Sequence, residues 1–233
     1  MTKHLPNAIT VLNLLLGIVG IIFLWEKNYA YVHLCMILAL VADFADGMVA
    51  RSLHVSSPLG KQLDSLADNV TFGVLPTLMW YHIFAQLLHV IAGKSGINPS
   101  ILPLTYRLLP YLSLLFAACA CLRLAKFNID ERQSSYFIGI PTPAAALFTL
   151  GIFQTPMFQV PLWLMLLVMV IVSLLMIVEI PILSFKMRDK RPIISVAFIT
   201  LISALFLHWL ALSLGIIILV AMSIIFKNKI KGS

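Results

Sequence analysis

Long apolar runs separated by short polar breaks fill the sequence from residue 7 to residue 226, and each approaches the ~20 residues a helix needs to cross a bilayer. They predict eight spans, at roughly 7–25, 30–52, 59–86, 102–126, 141–158, 161–184, 192–208 and 210–226. The last two divide one apolar run at the polar interruption around His208 and Gly215. The expected architecture is all-α, a polytopic membrane bundle of about eight helices forming a single domain over 1–233. The pattern is interrupted in one place. Residues 43–68, DFADGMVARSLHVSSPLGKQLDSLAD, place Asp43, Asp46, Asp64 and Asp68 inside two of the runs.

Composition sharpens that anomaly. The chain is 61% hydrophobic and has nine acidic side chains in all, so a soluble fold with a charged surface is excluded, and four of the nine fall in this one stretch. The basic residues set an orientation. With the amino terminus cytoplasmic, thirteen of the sixteen lysines and arginines fall on the inner side, and only Lys27, Lys94 and Arg107 fall outside. An even number of spans then puts both termini, with their lysines, in the cytoplasm. Topology and anionic inner-leaflet lipid account for the net charge of +7 without nucleic acid. MTKHLPNAITVLNLLLGIVGII has the basic end of a signal peptide, but no small-x-small cleavage site follows, so it reads as a retained helix. Cys35, Cys119 and Cys121 lack zinc-site spacing and read as packing residues, as do the dispersed His33, His82, His89 and His208. Trp25, Trp80 and Trp209 read as interfacial anchors, and Glu179 as a partner of Lys186 or Arg188.

Helical geometry groups the aspartates. At 100° per residue, Asp46 lies about 60° from Asp43, with Gly47 and Ala50 about 40° and 20° away, so carboxylates and small residues share a face. In the next helix Gly60, Asp64 and Asp68 follow one another at four-residue spacing. The short link HVSSP makes the two helices antiparallel neighbours, and small residues let their faces approach. Each ionised carboxylate costs about 2.5–3.5 kcal/mol at bilayer depth. Four together rival the roughly 5–15 kcal/mol stability of a domain. Arg51 is one cation against four anions. An ion-pair cluster, a cation or proton transporter, and a catalytic metal site are the alternatives. Oxygen-only ligands favour Mg²⁺ or Mn²⁺, and two such ions about 3.5–4 Å apart form the phosphoryl-transfer arrangement.

The spacing Asp43-x₂-Asp46-Gly47-x₂-Ala50-Arg51-x₈-Gly60-x₃-Asp64-x₃-Asp68 resembles the complete signature of the CDP-alcohol phosphatidyltransferases. The resemblance implies an integral membrane enzyme that moves a phosphatidyl group from a CDP-lipid such as CDP-diacylglycerol to an alcohol and releases CMP. It implies that Asp43, Asp46, Asp64 and Asp68 hold two divalent metals, Mg²⁺ or Mn²⁺, and that Asp68 also deprotonates the acceptor hydroxyl. Gly47, Ala50, Arg51 and Gly60 would shape the nucleotide and diphosphate pocket. A homodimer in a prokaryotic cytoplasmic membrane, among membrane lipids and with its site facing the cytoplasm, is likewise implied. LPNAITVLNLLLG (5–17) is similar to the family's first helix, where Asn7, Thr10 and Asn13 share one side and would meet the cytidine or ribose, or hydrogen-bond between helices.

The acceptor is read from the surroundings. NVTFGVLP after Asp68, CLRLAKFNID, FIGIPTPAAA and LSFK (183–186) resemble segments of the family's serine-accepting members. Departures are Asn69, Thr71, Leu75, Lys126 and Glu179. L-serine is therefore the expected acceptor, with glycerol 3-phosphate, inositol phosphate and choline as the alternatives. Arg123 would grip the serine carboxylate in two-pronged fashion, beside Phe127, with Asn128 or a carbonyl taking the ammonium. Arg123 and Lys126 would otherwise reach towards lipid headgroups. Whether the lipid is phosphatidyl or archaetidyl is not written in these segments.

Overall fold

The computed structural model describes residues 4–55, 57–94, 96, 98, 102–130, 137–153, 160–182 and 209–225. Among the described residues, four helices are long and apolar enough to cross a membrane: α1 (Leu5–Trp25), α2 (Tyr29–Ser52), α3 (Pro58–Lys94) and α4 (Leu104–Ile129). Three shorter apolar helices follow, α5 (Thr142–Phe153), α6 (Leu162–Ile177) and α7 (Leu210–Ile225). The expected span at 192–208 and the LSFK segment lie outside the described residues. An antiparallel ladder, which the hydropathy pattern did not predict, pairs β1 (Phe137–Ile138) with β2 (Pro181–Ile182).

Local chemistry explains the boundaries. Pro58 occupies the first turn of α3, where a missing N–H is harmless, and the Ser57 hydroxyl accepts a 3.0 Å hydrogen bond from the Gly60 N–H. The helix runs to Lys94, past the expected end near residue 86, because no proline or glycine lies between residue 86 and Gly93. In the opposite sense, the span expected to reach residue 184 stops at Ile177: Val178 is extended, and Pro181 cannot continue a helix. Midway along α3, residues Asn69–Val74 form a single π-helical stretch that begins directly after Asp68. In α4, Leu109–Ser113 tightens to a 3₁₀ turn around Pro110.

The second half of α3 forms the core. Phe72, Leu75, Met79, Trp80 and Phe84 are fully buried and pack with Met36 of α2, Phe116 of α4, Leu150 of α5 and Met169 and Met176 of α6. Trp80 is therefore a core residue and not an interfacial anchor; its indole N–H donates to the Thr149 hydroxyl at 3.0 Å. His33 and His82, far apart in sequence, join Tyr29 and Phe153 in one aromatic cluster, with Trp209 against His33.

Helix α1 is apolar outside and polar inside. Leu12, Leu15, Ile22 and Trp25 are exposed, whereas Thr10, Asn13, Gly17 and Gly20 are buried against α2 and α3. Apolar side chains facing outward are what lipid requires, so the helix face that matters for packing carries the small and polar residues. At Gly17 a Cβ would overlap the Thr71 hydroxyl and stand 2.9 Å from the Thr71 Cα, so glycine is needed for α1 to close on the π-helical stretch.

Candidate functional site

Asp43 on α2 and Asp64 and Asp68 on α3 each place a carboxylate oxygen within 4.8 Å of the other two. The short link between α2 and α3 brings these three together: His54 closes α2 in the left-handed conformation, and Ser57 starts α3 three residues later. At that separation each pair of like charges repels by about 3.5 kcal/mol for an effective dielectric constant of about 20. No lysine or arginine among the described residues pairs with any of the three. Oδ1 of Asp64 is buried and has no hydrogen-bond donor among the described residues. A buried carboxylate oxygen left without a donor is strongly disfavoured unless a cation supplies the missing charge. The donor set is oxygen only, so Asp43, Asp64 and Asp68 fit a hard divalent ion.

Asp46 is placed differently. It is buried, and its Oδ2 accepts a 2.5 Å hydrogen bond from the hydroxyl of Thr10, which also lies 3.1 Å from the Pro6 carbonyl. Asp68 is held in a similar way, with Nδ2 of Asn13 donating to its Oδ1 at 3.0 Å. Thr10 and Asn13 therefore make hydrogen bonds from α1 to the two helices that carry the aspartates. Asn7, one turn before Thr10, has its Oδ1 3.1 Å from where a Cβ at Gly60 would stand. On α2, the exposed Arg51 folds its guanidinium over Gly47, 3.6 Å from that residue's would-be Cβ, and Ala50 is half-buried beside it. Gly47 thus lies under the Arg51 guanidinium, and Gly60 lets Asn7 and the Ser57 hydroxyl come close to the start of α3.

The α4 end presents a second group. Arg123 is buried, its Nε donates to the Ile140 carbonyl, and its Nη2 lies 3.4 Å from the Gly139 carbonyl. Its guanidinium carbon stands 5.9 Å from the centre of the Phe127 ring. One edge of the fork is thus engaged by backbone. The edge formed by Nη1 and the second hydrogen of Nη2 has no partner among the described residues. Gly139 (φ +72°) is required there, because a Cβ would stand 2.6 Å from the Met176 carbonyl at the end of α6. Asn128 ties α4 to α3: its Nδ2 donates to the Ser65 hydroxyl at 2.7 Å, and its carbonyl accepts from the Lys61 ammonium at 2.5 Å. Lys126 is exposed.

The carbonyls of residues 139 and 140 and the hydroxyl of Ser65 escaped the sequence reading, since nothing in a residue's type announces what its backbone will meet. Asn13 is expected from the sequence on one polar side with Asn7 and Thr10, and of the two readings given there the structure shows a hydrogen bond between helices.

The family model described as CDP-alcohol phosphatidyltransferase matches residues 3–172. Over 145 residues the chain is 34% identical to the CDP-diacylglycerol–serine O-phosphatidyltransferase of Bacillus subtilis, a match covering 62% of this chain and 72% of that protein. The protein of the same name from Mycobacterium tuberculosis is 34% identical over 160 residues, 66% of this chain and 50% of its own length. The one from Methanocaldococcus jannaschii is 30% identical over 150 residues, 64% of this chain and 60% of its own length.

Proposed function

The chain belongs to the CDP-alcohol phosphatidyltransferase family, and on that premise we propose that it transfers a phosphatidyl group from CDP-diacylglycerol to L-serine, giving phosphatidylserine and CMP. The observation that carries the chemistry is the convergence of Asp43, Asp64 and Asp68 around a buried, donorless carboxylate oxygen. The names of the relatives support serine as the acceptor. The site faces the cytoplasm of a prokaryotic cell from a homodimer of eight-span subunits with both termini inside; the basic-residue asymmetry supports this orientation.

Asp43, Asp46, Asp64 and Asp68 would hold two Mg²⁺ or Mn²⁺ ions, which when bound offset the diphosphate charge and stabilise the departing CMP. The remaining work falls to the chain. Asn7, Thr10, Gly47, Ala50, Arg51 and Gly60 accommodate the nucleotide and diphosphate, the small residues by leaving space and Arg51 by its charge. Asp68 takes the proton of the serine hydroxyl as the new oxygen–phosphorus bond forms and the bond from phosphorus to the CMP oxygen breaks, the electron pair leaving with CMP. The free edge of Arg123 meets the serine carboxylate, flanked by Phe127 and with Asn128 nearby.

Purified protein given CDP-diacylglycerol and, in turn, serine, glycerol 3-phosphate, inositol phosphate and choline tests the reading. Serine-dependent CMP release that a chelator abolishes is expected. CMP release with glycerol 3-phosphate and none with serine would replace the acceptor while keeping the reaction. A parallel arm with CDP-archaeol reports the lipid preference.

Arg123→Lys is expected to raise the serine KM by about 10–100-fold, the scale of losing a charge-assisted contact worth roughly 1.5–3 kcal/mol, with little change in the KM for CDP-diacylglycerol. A lysine cannot hold two carbonyls and still offer a fork. Ethanolamine, which lacks the carboxylate, should be a very poor acceptor for the unmodified protein. An unchanged serine KM in Arg123→Lys would confine Arg123 to holding the corner at residues 139 and 140.

A further inference from the structure

Asn13 sits at the centre of α1 with no exposed surface, and its side chain is only half satisfied: Nδ2 donates to Oδ1 of Asp68 at 3.0 Å, while its own Oδ1 is buried without a donor. A residue kept merely to glue two helices would do better as an apolar side chain of the same size, because the unmet acceptor disfavours burial. The orientation of the amide is dictated chemically. An ionised carboxylate only accepts, so Asn13 must present its NH₂ to Asp68.

Its backbone is fixed as firmly. The Thr71 hydroxyl donates to the Asn13 carbonyl at 3.1 Å, and Gly17, one turn on, lets α1 approach Thr71 closely. Thr71 lies in the π-helical stretch that starts immediately after Asp68, so α1 grips α3 on both sides of the point where its helical pitch changes. The grip therefore acts on the orientation of Asp68 itself.

We infer that Asn13 is a positioning residue for the reaction: by engaging Oδ1 of Asp68 it fixes the carboxylate plane and leaves Oδ2 to receive the acceptor's proton. The inference rests on the reading of Asp68 as the base of a phosphatidyl transfer. It assigns Asn13 no contact with the nucleotide.

The test uses the full-length protein with Asn13→Leu and the isosteric Asn13→Asp, measured at saturating divalent cation. In Asn13→Leu, kcat should fall by about 10–100-fold, the range seen when a group supporting a catalytic residue is removed, while the KM values for CDP-diacylglycerol and serine stay within about twofold. Its melting temperature should not drop. Asn13→Asp, which sets one carboxylate against another at unchanged shape, should lose more kcat than Asn13→Leu. Thr71→Val gives a second route: loss of the hydroxyl that holds the Asn13 carbonyl should lower kcat by less, with KM again unmoved. Wild-type kcat in a folded Asn13→Leu would overturn the inference, as would a raised CDP-diacylglycerol KM at wild-type kcat, which would make Asn13 a nucleotide contact. If Asn13→Leu does not fold, the Asp and Val variants decide by the same split. Failure of the unmodified protein to release CMP would instead overturn the phosphatidyl-transfer reading on which this rests.

Discussion

Asp64→Asn is expected to lower the rate of CMP release on the order of 10³-fold and to weaken Mn²⁺ binding, because several kcal/mol of charge stabilisation in the transition state depend on a cation held at this position. Asp64 is the residue to choose because its Oδ1 is buried and receives no hydrogen bond from the described residues. The same change should make the metal-free protein more stable. Three carboxylates within 4.8 Å of one another repel when nothing lies between them, and a neutral amide removes two of the three repulsions. The melting temperature of metal-free Asp64→Asn should therefore exceed that of the metal-free parent, while the rise on adding Mn²⁺ should be smaller. Asp43→Asn should behave alike. Thermal melts with and without Mn²⁺, together with Mn²⁺ titrations followed by electron paramagnetic resonance, give these readouts without depending on turnover. A variant that binds Mn²⁺ as the parent does, and shows no gain in metal-free stability, would remove the carboxylate triad as a cation site.

The aspartates could be found in the sequence because the physics that makes them costly also makes them rare. In an apolar chain any acid cluster stands out, and spacings of three and four residues suffice to place its members on one face. The helices were legible for a similar reason, but their limits were not always so. Hydropathy does not distinguish a helix that continues past the bilayer from one that ends there, so α3 was expected to stop before Lys94 and α6 to run beyond Ile177. It also does not distinguish lipid-facing from core-facing positions when both are apolar. Trp80 was misplaced for that reason, being a fully buried residue paired with Thr149.

What remained hidden at the site involves partners that the residue types do not name. Spacing put Asp46 beside Asp43, yet the structure has its carboxylate accepting from Thr10 on a different helix, leaving the tight triad to Asp43, Asp64 and Asp68. The π-helical stretch after Asp68 has no sequence signal of its own, although it turns Thr71 towards α1. Arg123 was read for the charge at its tip. Two of its five N–H donors are directed to the corner at Gly139 and Ile140, a use that only the path of the backbone reveals.

Asp68→Asn is expected to reduce kcat by about 10²–10⁴-fold, the contribution of a positioned general base, while CDP-diacylglycerol binding weakens far less. The substitution is well suited to the question because the fold should survive it: an amide at residue 68 still accepts from Nδ2 of Asn13 through its own oxygen, at the same position as the present 3.0 Å bond. Two roles nevertheless overlap in this residue, since Asp68 also belongs to the triad. They separate by comparison with Asp64→Asn. If Asp68 is chiefly a ligand, both variants should lose Mn²⁺ affinity in parallel with rate, and excess Mn²⁺ should restore both. If it is the base, Asp68→Asn should keep most of its Mn²⁺ affinity through Asp43 and Asp64, and no concentration of metal should recover its kcat. Saturation curves for Mn²⁺ and for CDP-diacylglycerol on the two variants decide between these outcomes. Recovery of the Asp68→Asn rate by excess Mn²⁺ would make Asp68 a ligand and remove it as the base for the serine hydroxyl.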